Sequence, residues 1–266
     1  MLTIKKYNEL DRVVKVFAAG NYNLFVLLGG PGQAKSRTVR AAVEASGEPF
    51  VWVKNTVSAF RLYLDLFKNR NAKLLVIDDV DSFYSDRNLV RLLKCLCETE
   101  AVKTLAWHTD AARLEKEGVP REFDASLKVA IISNDLKRLN VNVGALEDRG
   151  RVFSFEPEAR EVHERAKGFF GDQEIVEFVG ARLHLVNGRL SLRDYWKAYE
   201  DKLGGLDWRR MFLEDKGVSD EGLILAELME TSYATEEERI RDFVRLTGRS
   251  RATYFRRKQA MGTADS

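Results

Sequence analysis

Residues 29–42 read GGPGQAKSRTVRAA. The pattern G-x-x-x-x-G-K-[ST] fits at Gly29, Lys35 and Ser36, but Ala34 stands where the second glycine belongs. An apolar run ended by glycines, NLFVLLGG (23–30), precedes the loop and has the character of a buried parallel strand. KSRTVRAAVEAS follows and reads as a helix. In this strand–loop–helix context the loop's backbone N–H groups converge on phosphate oxygens, and the helix adds its positive N-terminal end. Gly29, Gly30, Pro31, Gly32, Gln33, Ala34, Lys35, Ser36 and Arg37 are the candidate nucleotide contacts. Lys35 is suited to neutralise the β and γ phosphates of ATP, and Ser36 to place its hydroxyl on Mg²⁺. Ala34 fits at little cost if its φ is negative; a positive φ costs about 1–2 kcal/mol. The bland alternative is an ordinary strand-to-helix turn.

Outward from the loop, composition sets the class. The chain has 266 residues, 45% hydrophobic and 32% charged, which suits a soluble protein of more than one domain. No run approaches the roughly 18 apolar residues of a membrane span. The N-terminal MLTIKKYNELDRVVKVF lacks the apolar core of a signal peptide, so a cytoplasmic location is expected. Cys95 and Cys97 are two apart on an expected helix and read as unpaired, reduced thiols. His108, His163 and His184 show no metal-ligand spacing. The net charge is only +2, yet Arg239–Lys258 carries eight basic residues against Asp242, leaving a mildly acidic remainder.

An amphipathic helix is expected over 6–18. After the loop and its helix come a strand at 49–55, a helix at 57–69, an apolar strand at 72–81 and a helix at 86–100. A short strand over 103–110, an exposed segment, and strands at 126–135 and 151–157 complete this part. Alternating strands and helices predict a parallel sheet with right-handed crossovers, whose ligands bind at the carboxyl ends of the strands. Those ends carry the glycine loop, Asp78, Asp79 and Asn134. Beyond Pro157 the pattern is helical. The expected domains are an α/β core (1–156), a small helical lid (157–216) and a C-terminal all-α module (217–266), with linkers near 156–158 and 216–219.

LLVIDD (74–79) has the form of a strand that ends in metal-binding acids. Asp78 is placed to hold magnesium through water. Asp79 stands where many ATPases keep a glutamate that orients the attacking water. Aspartate is one methylene shorter, so Asp79 acts directly, acts with Asp81, or leaves hydrolysis slow. A pair of acids capping a helix is the alternative.

The order GGPGQAKS, LLVIDD, VAIISN, ALEDRGR and SLRDYWKA resembles the AAA+ ATPases over roughly residues 1–205. Loops of the form G-x-P-G-x-A-K-S also occur in the MCM and MoxR-type branches, so Ala34 is similar to a known variation. The resemblance implies a P-loop AAA+ core and lid. It implies that Asn134 is the sensor 1 residue, that Arg149 is an arginine finger for the neighbouring subunit's nucleotide, and that Arg193 is the sensor 2 arginine. Otherwise Asn134 caps a helix starting at Asp135, Arg149 or Arg151 forms a surface ion pair, and Arg193 is solvated. A finger supplied in trans implies a homo-oligomer, a ring or spiral of which a hexamer is one arrangement. In such rings a segment like 108–126 often faces the pore, and Arg113, Lys116 and Arg121 there either touch a polymer or are solvated.

SDEGLILAELMETS (219–232), TEEERIRDFVRLTG (235–248) and SRATYFRRKQAM (250–261) predict three short helices. Thr235 with Glu238 forms a capping-box pattern, Gly248 marks a turn, and Ser250 suits the next cap. This resembles a helix-turn-helix. Helical spacing with Ala252, Phe255 and Gln259 inward leaves Arg249, Arg251, Thr253, Tyr254, Arg257 and Lys258 for DNA. A solvated basic helix is the alternative, but the segment lacks i, i+4 acidic partners. The sequence therefore points to a magnesium-dependent AAA+ ATP hydrolase that oligomerises with ATP and acts on DNA. The settings are replication initiation or helicase loading, or mobile-element or phage DNA handling, with a helicase or recombinase as a protein partner. The rivals are a nucleotide-gated helix-turn-helix regulator and a MoxR-like protein remodeller.

Overall fold

The computed structural model describes residues 1–55, 57–79, 86–109, 111–134, 148–186 and 190–262. Asp81, Asp135 and residues 145–147 of ALEDRGR lie outside them. The chain divides into two compact units, Met1–Pro157 and Glu158–Ser266.

The first unit is built on strands β1 (Leu2–Ile4), β2 (Leu24–Gly29), β3 (Phe50–Lys54), β4 (Leu74–Asp78), β7 (Lys128–Ser133) and β8 (Arg151–Phe155). They form one sheet in the order β1-β8-β2-β7-β4-β3, and every pairing is parallel. LFVLL of β2 and LLVID of β4 are buried along their whole length, as strands covered on both faces must be. Helix α1 (Tyr7–Ala18) buries Leu10, Val14 and Phe17, one stripe at helical spacing. Helices α2 (Lys35–Ser46), α3 (Ala59–Lys68) and α4 (Arg87–Leu96) follow the strands as the crossovers require. Asp86 caps α4 by accepting from the N–H groups of Asn88 and Leu89.

Two features depart from the expected order. Strand β1 lies at the sheet edge and has only three residues, too few to show a period. The segment expected to be an exposed stretch after a short strand is itself folded. Strands β5 (Lys103–Ala106) and β6 (Glu122–Ala125) pair antiparallel, and α5 (Ala111–Glu117) connects them. They are held by aromatic packing: Phe123 meets Tyr63 at 5.0 Å and Phe67 at 5.3 Å, and Trp107 meets Phe60 at 5.6 Å. The Arg113 guanidinium stacks on Phe60, 4.4 Å from its centroid, and so is committed to packing.

The second unit is helical: α6 (Ala159–Lys167), α7 (Gln173–Ala181), α8 (Leu192–Leu203), α9 (Trp208–Asp215), α10 (Asp220–Glu230), α11 (Glu236–Thr247) and α12 (Arg251–Gly262). Helix α9 was not anticipated. Its C-terminal neighbour Lys216, expected in a linker, is instead buried and pairs with buried Asp194 at 2.7 Å. Asp194 also accepts from the Ser191 N–H at 2.7 Å, so one carboxylate caps α8 and ties it to the end of α9. The terminal helices α10–α12 share a small core of Leu225, Leu228, Ile240, Phe243 and Tyr254.

Buried His163 on α6 shares a 2.8 Å hydrogen bond with the Tyr195 hydroxyl of α8. Burial lowers its pKa below the ordinary 6.5. Above about pH 7 the imidazole is neutral in both the folded and the unfolded chain. As pH falls through 6.5 the unfolded chain takes a proton that the folded one resists, so stability declines until the lowered pKa is reached. Thermal unfolding followed from pH 7 to pH 5 should show this loss. A His163→Phe chain, less stable at pH 7 because the bond to the Tyr195 hydroxyl is lost, should lose less on acidification.

Candidate nucleotide site and C-terminal basic helix

The parallel register brings the carboxyl ends of four strands together. Leu28 lies beside Ser133, Asp78 beside Ile132, and Gly29 beside Phe155. The loop leaves β2 at Gly29, whose φ is +147°. A Cβ there would meet the Phe155 carbonyl oxygen at 2.4 Å, so only glycine lets the loop begin so close to β8. Tyr7, at the start of α1, backs the loop: its ring meets Phe155 at 5.0 Å and its hydroxyl donates to the Gln33 carbonyl at 3.4 Å. Sequence reasoning missed this support, because Tyr7 is distant along the chain and carries no motif.

Lys35 is only 6% exposed. Its ammonium donates to the carbonyls of Gly29 and Gly30, both at 2.7 Å, and to Asn134 Oδ1 at 3.1 Å. Ser36 Oγ donates to Asp78 Oδ1 at 2.6 Å, and Asp78 is 3% exposed. The Asp79 N–H bonds the Ile132 carbonyl at 3.0 Å, which extends the β4–β7 pairing by one residue. Asp79 then takes φ +53°, and its carboxylate accepts from Asn134 Nδ2 at 3.3 Å. Asn134 thus joins Lys35 to Asp79. Lys35, Ser36, Asp78, Asp79 and Asn134, drawn from three strand ends, form one polar cluster. Pro31, Gly32, Gln33 and Arg37 belong to the same loop and the first turn of α2.

Ala34 adopts φ +58° and ψ +18°. Its methyl group therefore sits in the left-handed region, the costlier of the two cases that the sequence allowed.

Arg149 is elsewhere. It precedes β8, at the N-terminal end of the sheet, and Gly150 beside it passes so close to Leu24 that a Cβ would meet the Leu24 carbonyl at 2.4 Å. Five residues of β8 separate it from the loop end of the sheet, about 16 Å at roughly 3.3 Å per residue. Arg149 therefore does not reach the Lys35 cluster of its own chain. It lies near Cys95 and Cys97; burial pushes the Cys97 thiol up to about 12, and the Arg149 charge opposes that rise. Its Nη1 is buried, with no hydrogen-bond partner among the described residues. Buried Lys103 secures the same end of the sheet, donating to Asn23 Oδ1 at 2.9 Å and to the Leu127 carbonyl at 2.5 Å. Arg193 is exposed on α8 in the second unit.

The C-terminal helices correct part of the sequence reading. Thr235 caps α11 by accepting from the Glu238 N–H, and Gly248 closes it at φ +66°. On α12, however, Tyr254 faces inward at 0% exposure, whereas Ala252, Phe255 and Gln259 are exposed. The Tyr254 ring meets Phe243 at 5.5 Å and its hydroxyl reaches Glu236 at 3.4 Å, so it is not available as a DNA contact. A tyrosine fills this core because its polar tip escapes to the rim. The four basic residues expected to meet DNA have acidic partners, contributed by neighbouring helices. Arg249 and Arg257 bond Glu221 of α10 at 2.5 Å and 3.2 Å. Arg251 pairs with Glu237 and Lys258 with Glu236, both on α11. Thr253 is half-buried and hydrogen-bonds the Ser250 cap.

No protein-family model matches the sequence. An uncharacterised 36.7 kDa protein from the nrdC-mobD intergenic region of Enterobacteria phage T4 is 27% identical over 135 residues. The match covers 49% of this chain and 41% of the phage protein, so the chain spans less than half of that relative. Among solved structures, Thermotoga maritima RuvB, described as a Holliday junction branch migration motor, superposes with a TM-score of 0.50 at 12% identity. That likeness covers 94% of this chain and 84% of RuvB.

The left-handed Ala34 has a measurable consequence. Ala34→Gly should relieve the strain, raising stability by about 1 kcal/mol and the melting temperature by about 2–4 °C. Thermal unfolding of the two chains checks it; a less stable glycine variant would mean that the loop is not strained at this residue. The sheet order, the phosphate-loop geometry and the helical second part together make this an AAA+ ATPase fold, an α/β core followed by a helical region.

Proposed function

We propose that this chain is a magnesium-dependent ATP hydrolase of the AAA+ kind that assembles with copies of itself and acts on DNA. The observation that carries the ATPase reading is the convergence of Lys35, Ser36, Asp78, Asp79 and Asn134 at one end of the sheet. The donor set fits the nucleotide. Lys35 is a buried cation whose present partners are loop carbonyls and Asn134, which phosphate oxygens replace with a gain of charge. Ser36 and Asp78 are an adjacent hydroxyl and carboxylate, a hard oxygen pair of the kind magnesium takes. Bound Mg-ATP supplies the phosphoanhydride bond that is cleaved. Asp79 accepts a proton from, or orients, the attacking water, and Asn134 holds that carboxylate in position. The shorter side chain of Asp79 and its left-handed backbone favour slow turnover, which suits the rival role of a nucleotide-gated regulator.

Arg149 is too far from its own site to serve it, which supports a finger acting on a neighbouring subunit. The lid arginine, Arg193, is assigned to the nucleotide on resemblance alone. The likeness in fold to a branch migration motor favours DNA handling, with a helicase or recombinase as the protein partner. Helix α12 and its flanking cations are the proposed DNA tether.

Complementation between chains tests the site and its assembly together. Lys35→Ala should lose ATP binding. Arg149→Ala should keep ATP binding and lose turnover by about 10³-fold or more. An equal mixture of the two should regain part of the activity, because intact loops then meet intact arginines. Normal turnover by Arg149→Ala alone removes the finger assignment. In the wild type, the rate per chain should rise with protein concentration and with added duplex DNA. Contacts to about six phosphates imply that affinity for duplex falls roughly 10³-fold between 50 and 200 mM salt; a flat salt response argues against the tether.

A further inference from the structure

Helix α4, in the first unit, carries a row of unneutralised charge. Arg87, Arg91 and Lys94 recur at i, i+4 and i+7, within about 60° of one another around the helix. Arg87 and Arg91 are exposed, and Lys94 is half-buried. None of the three has a carboxylate partner among the described residues, and Arg87–Leu96 contains no acid. Asp86, just before them, is engaged in capping the helix. The cations of α12 differ: Arg249, Arg251, Arg257 and Lys258 are all tied to glutamates. Beside the α4 row lies a groove of about 280 Å³. Asn88, Arg91, Leu92 and Cys95 line it from α4, and Trp107 and His108, just after β5, line it opposite. Arg91 therefore belongs to both the row and the groove. Among the described residues no carboxylate lines it. The Trp107 ring is held by Phe60 at 5.6 Å and Tyr63 at 5.7 Å. Its Nε1 is buried without a hydrogen-bond partner among the described residues, a donor that lacks an acceptor.

We propose that this face of the first unit binds single-stranded DNA, with phosphates along Arg87, Arg91 and Lys94 and one unstacked base in the groove beside them. The inference rests on the proposed action on DNA and goes beyond it, by naming a second contact separate from α12 and the form of DNA that it takes. Charge complementarity supplies the first argument. Four residues of helix rise about 6 Å and three about 4.5 Å, so the row offers a cation at short, regular steps that a flexible phosphate backbone can follow. No displaced carboxylate opposes the approach of phosphate here, as the glutamates do at α12. The groove supplies the second argument. A duplex keeps its bases stacked inside, whereas the bases of a single strand can be splayed out, packed on aromatic side chains and hydrogen-bonded on their edges. Trp107 offers an aromatic ring and an unmet N–H, and the Asn88 amide offers both a donor and an acceptor for a base edge.

Fluorescence anisotropy of the full-length chain with three labelled probes tests this: a mixed-sequence single strand, an abasic strand of the same length, and a duplex. The wild type should bind the single strand at low salt, about 10-fold more tightly than the abasic strand. The triple variant Arg87→Ala/Arg91→Ala/Lys94→Ala should weaken single-strand binding by about 10-fold or more. It should also lower the slope of log affinity against log salt by about 2, since each phosphate contact contributes about 0.7. Asn88→Ala should leave that slope in place and narrow the gap between the base-bearing and abasic strands. Duplex affinity, carried by α12, should be unchanged in both variants. The substituted side chains lie outside the core, so both variants should melt at the wild-type temperature. A single strand bound equally by the wild type and the triple variant overturns the inference. So does a triple variant that loses duplex and single strand alike, because the row is then a general phosphate contact. Equal wild-type affinity for the base-bearing and abasic strands overturns the base in the groove. Duplex binding without any single-strand binding overturns the inference and leaves the α12 tether standing. No binding of any probe at low salt removes the action on DNA, and this inference with it.

Discussion

A buried ammonium group needs partners, and the first unit is arranged around supplying them to Lys35. Taking a charge out of water costs several kcal/mol unless hydrogen bonds compensate. The compensation comes from two loop carbonyls and from Asn134, which is remote in sequence and lies at the end of β7. Only the parallel pairing of β2 with β7 brings that side chain to the loop. The same pairing, continued to β4, sets Asp78 against Ser36 and Asp79 against Asn134. The sheet register and the polar cluster are thus one constraint seen at two scales.

Strain gathers at this cluster. Three residues other than glycine have positive φ among those described, Ala34, Asn55 and Asp79, and two of them border the site. Such conformations persist where the surroundings over-determine them. At Ala34 the loop must turn tightly into α2. At Asp79 the chain must leave β4 yet keep its N–H on β7. A backbone held in this way fixes the direction of the polar groups in the cluster, which in the proposed ATPase is the preorganisation that electrostatic catalysis depends on.

The terminal helices illustrate a different balance. Their core is small, and the one large ring that α12 contributes to it is Tyr254. Exposed ion pairs link α12 to α10 and α11, and each contributes little to stability. Their effect is on charge: they hold basic side chains at the flanks of the helix and partly neutralise them. The positive charge concentrated in this segment is therefore less free than the sequence suggests.

The local sequence determined the features that local chemistry controls. The apolar runs of β2, β4 and β7 could only be buried strands, the glycine loop could only be a tight turn into a helix, and Thr235 and Gly248 mark the ends of α11 as caps do. Alternation of strands and helices was enough for a parallel sheet, and so for Lys35, Asp78 and Asn134 at one end of it. Tertiary structure decided the rest. Strands β1 and β6 exist because a neighbour supplies their hydrogen bonds, which no three- or four-residue pattern reveals; of that antiparallel pair only β5 was expected. Tyr7 supports the loop, and Lys216 is buried, through partners distant in the chain. The phase of α12 was illegible for a related reason. Tyr254 and Phe255 are adjacent aromatic residues about 100° apart, and only the shape of the pocket left by α10 and α11 chooses which ring goes inside.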